Sequence, residues 1–325
     1  MNTIQSTLST TWFGKCIFIS WYCETASCKF CFRAYQNAKV KKTPEQAKRS
    51  MASILAEAFI AKQLGWRIEF LTGGCNSYAF EELLEIIKNV CIVYGEKIWI
   101  NLGLFDEKKL EQLKPYVEGI CASIETTASE LHDEICPDKP IKPYEEMLQS
   151  LNGFGFKKSA CIIIGLGETK KDIDSLFEFI EKNKLDRITF YALKPVKGSG
   201  FDKSPEPEYY AWWIAQTRKR FPELEIMAGL TPKNPEYAEW VLKAGASAVT
   251  KFPAIRKFNS KEARIVEQGI KKAGREFKGT LTKLPDVDWD EEVDKLDDKL
   301  GFDKELKEKI KVKLRDYLKK MKSNT

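Results

Sequence analysis

Short apolar runs alternate along the chain with longer segments in which apolar residues recur at helical spacing, the pattern of repeated βα units around a parallel sheet. The runs predict strands at 16–20, 67–72, 97–102, 119–124, 159–165, 187–192, 224–228 and 246–250, and eight of them suggest closure. Helices are predicted at 44–64, opened by Thr43 and Pro44 as cap and first-turn residue, and at 79–93, ended by Gly95. Others follow at 106–115, 143–154, 169–183, 207–221 and 234–244. The fold class is α/β, a TIM-like (β/α)8 barrel with a C-terminal helical extension. Residues 1–255 form the barrel and residues 256–325 the charged helical segment. In the last helix Leu306, Ile310, Leu314, Tyr317, Leu318 and Met321 share one side, which suits packing on the barrel better than docking a partner. Barrels of this kind carry their chemistry at the C-terminal ends of the strands, so residues just after each strand become the candidates.

A chain of 325 residues with 43% hydrophobic residues can bury one large core. No basic stretch leads into an apolar run, and no segment approaches the ~20 apolar residues of a membrane span. The expectation is a cytoplasmic protein with no membrane partner. The net charge of +6 comes from lysine scattered among glutamate, which mildly favours an acidic partner. No basic run is interleaved with stacking aromatics, so nucleic acid is not expected. Nine cysteines without a secretory signal point away from disulfides and toward metal or reactive roles. His132 is the single histidine, which leaves little from which to build a His-rich zinc site or a catalytic triad.

Directly after the first strand comes Cys23-Glu-Thr-Ala-Ser-Cys28-Lys-Phe-Cys31, a C-x4-C-x2-C run with no fourth ligand nearby. Three thiolates can hold three irons of a [4Fe-4S] cubane and leave the fourth open to an exogenous ligand. A structural zinc site is the rival, but it wants four closed ligands and the second pair is missing. A redox pair of Cys28 and Cys31 would leave Cys23 unexplained.

This loop resembles that of the radical S-adenosylmethionine superfamily, whose usual spacing is C-x3-C-x2-C with an aromatic before the last cysteine, here Phe30. The chain has one extra residue between Cys23 and Cys28. Gly73-Gly74 follows the second strand, where the superfamily's Gly-Gly-Glu segment receives the methionine amino group on backbone carbonyls, with Cys75 in place of the acid. Cys161-Ile-Ile163-Ile-Gly165-Leu-Gly-Glu168 is similar to the superfamily's segment beside adenine. Within the superfamily, residues 12–252 look like the biotin synthase branch, through Gly165-Leu-Gly-Glu-Thr169, Lys194-Pro-Val-Lys-Gly198 and Ala244-Gly-Ala-Ser247. The branch implies ribose contacts at Ser123 and Glu125 and a cation for the methionine carboxylate at Lys142, where a lysine supplies charge without arginine's fork.

Biotin synthase itself is disfavoured: its sacrificial-cluster positions fall on Leu71, Trp99, Ser159 and Glu225. Strand alternation nevertheless turns Cys121 and Cys161 inward with Ser123 and Ile163, and Cys75 and Cys136 can reach the barrel mouth. These cysteines read either as a second iron–sulfur cluster or sulfur-handling group, or as small core residues, as Cys16 and Cys91 do. Asn101, Tyr191 and Lys251, at strand ends, are candidate substrate contacts.

The resemblance implies an enzyme that cleaves S-adenosylmethionine to a 5'-deoxyadenosyl radical, with an electron donor such as ferredoxin. The leading specific expectation is sulfur insertion into an octanoyl chain, as in archaeal two-protein lipoyl synthases, with an acidic lipoyl carrier protein and a second radical enzyme subunit as partners. A radical step in making a metallocofactor such as iron-guanylylpyridinol is the alternative. A non-enzymatic iron–sulfur carrier would give Gly73, Gly74 and Glu125 no common purpose.

Overall fold

The computed structural model describes residues 10–35 and 42–324. Its strands are β1 (Thr10–Phe18), β2 (Arg67–Thr72), β3 (Ile98–Asn101), β4 (Val117–Glu125), β5 (Lys157–Ile164), β6 (Arg187–Ala192), β7 (Glu225–Gly229) and β8 (Ala248–Thr250). All pair in parallel in chain order, and β1 closes the ring by pairing with both β2 and β8, so the protein is a TIM-like (β/α)8 barrel. A short ninth strand, β9 (Glu276–Lys278), which the apolar pattern does not predict, lies outside the ring against Thr10–Trp12.

Alternation along each strand sorts side chains into two layers. In β4, Ile120, Ala122 and Ile124 join the core under the helices, while Cys121 joins Cys16, Phe70, Trp99 and Cys161 inside the ring. In β2 a register shift opposite Lys15 and Cys16 makes Glu69 an extra residue. Glu69 and Phe70 therefore both serve the interior, and Leu71 packs under the helices.

The helix predicted over 44–64 is broken. Pro44–Ala47 forms a 3-10 turn, and Ser50, whose side chain accepts from Ser53 N, caps a separate helix Met51–Gln63. Lys48 and Ser50 are extended at the break, and Arg49 between them sends its guanidinium to Phe18 O, Ser53 O and the Tyr317 hydroxyl. Phe80–Tyr94 ends at Gly95 as predicted, with φ +92. A helix at Ser129–Ile135 follows β4 without having been predicted, and helix Ile141–Ser150 comes next.

Glu107–Leu113, Ile173–Asn183, Pro207–Arg220 and Tyr237–Lys243 complete the predicted set, and Lys261–Lys272 packs beside Tyr237–Lys243. The last helix, Lys304–Lys322, buries Ile310, Leu314, Leu318 and Met321 and lies along Met51–Gln63. Among the described residues no helix is long and apolar enough to cross a membrane.

Candidate active site

The C-terminal ends of the strands surround a cavity of about 450 Å³. The loop carrying Cys23, Cys28 and Cys31 forms one side, Cys16, Phe70, Cys161 and Tyr191 form the floor, and Lys194, Lys251 and Arg256 stand on the far wall.

The cysteine loop is held from several directions. Glu24 N donates to Cys75 O (3.1 Å), Lys29 N to Ile135 O (2.9 Å), and Arg33 Nη2 to Ser20 O (3.0 Å). Cys31 N turns back to Cys28 O (2.9 Å), which brings both thiols to the cavity. Gly74 lets the loop close on the end of β2: a Cβ there would lie 2.0 Å from Tyr22 O and 2.5 Å from Cys23 Cβ.

The chemistry of the donor set suits a thiolate-held cluster. A hydrogen bond with the Cys75 thiol, helped by backbone groups and Arg33, draws the Cys23 thiol down to about 5. The Cys136 thiol, and then Lys139, lower Cys28. Burial raises Cys31. A structural zinc ion wants four closed ligands, and the loop offers three thiols. A cubane instead takes each thiolate on a different iron.

Beside the cysteines, Ser123 and Asn101 bond side chain to side chain (2.7 and 3.0 Å), and Asn101 reaches Cys161 Sγ at 3.8 Å. Glu125, where β4 ends in a left-handed residue of φ +67, accepts from Lys139 Nζ at 2.7 Å. Lys142 is elsewhere: its side chain is 83% exposed and faces Glu146 one helical turn on. Both lysines precede a proline, Lys139-Pro140 and Lys142-Pro143. Only Lys139 lies ahead of the helix that starts at Ile141, where its side chain can turn into the barrel mouth. The structure thus brings Lys139 and not Lys142 to the cavity, and the two positions differ in where the helix begins.

Phe30, Gly73, Gly74, Ser123, Glu125 and Ile163 line the cavity, and Phe30 packs on the cluster that contains Ile163. Gly165 does not line it. With φ +106, Gly165 shapes the loop after β5, which Glu168 holds by accepting from Gly165 N (2.7 Å) and Leu166 N (2.8 Å). The glutamate of that motif is therefore spent on its own backbone.

Below the cavity, Cys121 and Cys161 turn inward as alternation predicts, with sulfurs 3.3 Å apart. Cys16, expected as an ordinary core residue, is also interior, 3.8 Å from Glu69, whose carboxyl accepts from Thr189 Oγ1 at 2.9 Å. Burial pushes Glu69 up to about 8. Nothing in the apolar pattern exposes this acid, because it is the bulge residue of β2. Cys91 sits half-buried on helix Phe80–Tyr94. Three of the four sacrificial-cluster positions are otherwise employed: Trp99 fills the lower barrel under the Arg187 guanidinium (3.9 Å), Arg187 pairs with Glu225, and Leu71 faces the helices; Ser159 is buried with no hydrogen-bond partner for its hydroxyl among the described residues.

The Radical SAM superfamily model matches residues 20–180. The chain is 32% identical over 328 residues to an uncharacterized protein of Methanocaldococcus jannaschii, covering 96% of this chain and 90% of that one. It is 26% identical to the biotin synthase of Methanococcus aeolicus over 176 residues, which span 53% of each. The fold is also that of methylornithine synthase, with a TM-score of 0.64, 22% identity, and coverage of 74% of this chain and 72% of that one. Together with the cysteine loop at the mouth of a parallel barrel, these matches place the chain in the radical S-adenosylmethionine superfamily of enzymes. Within that superfamily its similarity to biotin synthase extends over about half of each chain.

Proposed function

We propose that Cys23, Cys28 and Cys31 hold a [4Fe-4S] cluster beside bound S-adenosylmethionine, and that the cavity encloses a substrate from which a hydrogen atom is taken. The observation that carries this reading is the closure of the cysteine loop on Gly74, which sets three thiols and the Gly73-Gly74 backbone around one space. When bound, cluster and S-adenosylmethionine supply a 5'-deoxyadenosyl radical on receipt of an electron, from a donor such as ferredoxin. Gly73 and Gly74 carbonyls suit the amino group, Lys139 the carboxylate, Ser123 and Glu125 the ribose, and Phe30 with Ile163 the adenine side. The apolar floor and the packed lower barrel keep water from the reacting carbon.

For the finer reaction, the paired thiols of Cys121 and Cys161 favour sulfur insertion into an octanoyl chain, a lipoyl synthase-like activity. An acidic carrier protein and a second radical subunit would then be the partners. The cations of the far wall, Lys194, Lys251 and Arg256, which have no ion pair among the described residues, favour the other reading, a radical step on a small molecule in metallocofactor biosynthesis.

The test is anaerobic incubation of the reconstituted protein with S-adenosylmethionine and dithionite. Deoxyadenosine should form with the wild type and not with Cys28→Ala. Sulfur appearing on an octanoylated carrier protein selects lipoyl synthesis. Deoxyadenosine with an untouched carrier, with candidate partner subunits present, selects the small-molecule reaction. Absence of both cluster and deoxyadenosine overturns the proposal.

A further inference from the structure

The charges around the cavity are uneven. Its lining includes five cationic side chains, Arg33, Lys139, Lys194, Lys251 and Arg256, and one carboxylate, Glu125. Two of the five are already committed near the cysteine loop: Lys139 is paired with Glu125, and Arg33 donates to Ser20 O and covers the Phe32 ring at 4.8 Å. Among the described residues, the side chains of Lys194, Lys251 and Arg256 make no salt bridge and no hydrogen bond. They come from the loops after β6 and β8, whereas Cys23 and Cys28 meet Cys75 and Cys136 beyond the ends of β2 and β4, on the opposite side of the ring.

Cations gathered without a counter-charge repel one another, and a protein that keeps them together leaves a site for an anion. The repulsion is visible at Lys194, which burial and then Lys251, Arg256 and Lys233 hold below the ordinary lysine range. The position of Lys251 is also built. It follows β8 directly with φ +61, a left-handed conformation that costs a residue with a side chain, and its amine lies 4.1 Å from the centre of the Tyr191 ring. Glu125, at the end of β4, is the other strand-end residue of the cavity held in this conformation. The expected cofactors do not neutralise the far wall. S-adenosylmethionine carries a sulfonium and an ammonium against one carboxylate, and the thiolate charge lies on the opposite side.

We infer that Lys194, Lys251 and Arg256 form an anion subsite, and that the substrate of the barrel is a small molecule carrying a phosphate or carboxylate group held there while its reacting carbon faces the cysteine side. This rests on the reading of the cavity as the active site. It adds to that reading a substrate class and an orientation, head group at the β6–β8 wall and apolar part over Phe70 and Tyr191. A carboxylate or a phosphate would satisfy the same three donors, and arginine adds a planar, two-pronged contact to either.

The experiment is calorimetric titration of the full chain with inorganic pyrophosphate, with citrate and with glycerol, at low ionic strength. Wild type should bind at least one of the two anions and not glycerol. Pyrophosphate alone identifies a phosphate group, and citrate alone a carboxylate. Lys251→Ala combined with Arg256→Ala should weaken that binding at least tenfold, and Lys251→Arg with Arg256→Lys should restore most of it with an unchanged circular dichroism spectrum. Binding of neither anion by the wild type, or equal binding by the alanine variant, overturns the inference. Wild-type deoxyadenosine formation is measured on the same preparation: if it occurs without anion binding, only the subsite is wrong. If anion binds and no deoxyadenosine forms, the subsite stands and the radical reading falls.

Discussion

Lys139 Nζ stands 2.7 Å from Glu125 Oε1 at the mouth of the barrel, joining the residue that ends β4 to the one that precedes the helix Ile141–Ser150. Both side chains are about nine-tenths buried. The pair therefore sets a cation beside a hydrogen-bond-accepting carboxylate, the groups that the carboxylate and ribose hydroxyls of the proposed cofactor would take, in a place where charge is poorly screened.

Lys139→Ala should weaken S-adenosylmethionine binding about tenfold or more, since it also strands the Glu125 carboxylate. Lys139→Arg should retain most of it, and Lys142→Ala, on an exposed side chain, should change nothing. Equilibrium dialysis with labelled S-adenosylmethionine reads all three. Equal losses for the two alanine variants would remove Lys139 from the site.

Gly74→Ala should lower iron incorporation severalfold, because its Cβ would meet Tyr22 O at 2.0 Å and the cysteine loop would have to lift. Gly153, with open space around it, is the control. Iron and sulfide assays after reconstitution decide this, and normal iron content in Gly74→Ala would mean that the loop has another way to close.

Glu69 gives the protein a pH dependence of a particular sign. Its carboxyl is pushed from the ordinary 4.5 up to about 8 by burial, so between these values the folded state holds a proton that the unfolded state has released. Stability should therefore fall as pH rises from about 5 to 8, by at most about 1.4 kcal/mol per pH unit. Glu69→Gln keeps an acceptor for Thr189 and should flatten that slope in urea melts. A slope unchanged in the variant would place the titration elsewhere.

Leu314→Ala should cost about 2–5 kcal/mol, as expected for a buried leucine in a packed interface. Leu314 is fully buried where the last helix covers Met51–Gln63. Thermal melts of the full chain measure it. A loss under about 0.5 kcal/mol would show that the last helix is a dispensable attachment. Tyr317→Phe, which removes the 2.7 Å bond from Arg49, should cost about 1 kcal/mol.

The sequence by itself determined the barrel, its eight strands within a few residues except for the first, which starts at Thr10 and not at 16, and the cysteine loop with its glycine pair. Those features are local: strand alternation, cap residues and ligand spacing are written in neighbouring positions. It also determined that Cys121 and Cys161 face inward, because a period of two fixes the face once one residue is placed. What it could not decide was which of two lysines, three residues apart, enters the site, since that depends on where a helix begins. Nor could it show that Glu69 is an acid inside the barrel, because the bulge that turns it inward arises from pairing with β1 more than 50 residues away. The gathering of Lys194, Lys251 and Arg256 was likewise hidden, for it requires the loops after β6 and β8 to meet over one cavity. Only closure of the ring brings them together, and only then does their common charge stand without a partner among the described residues.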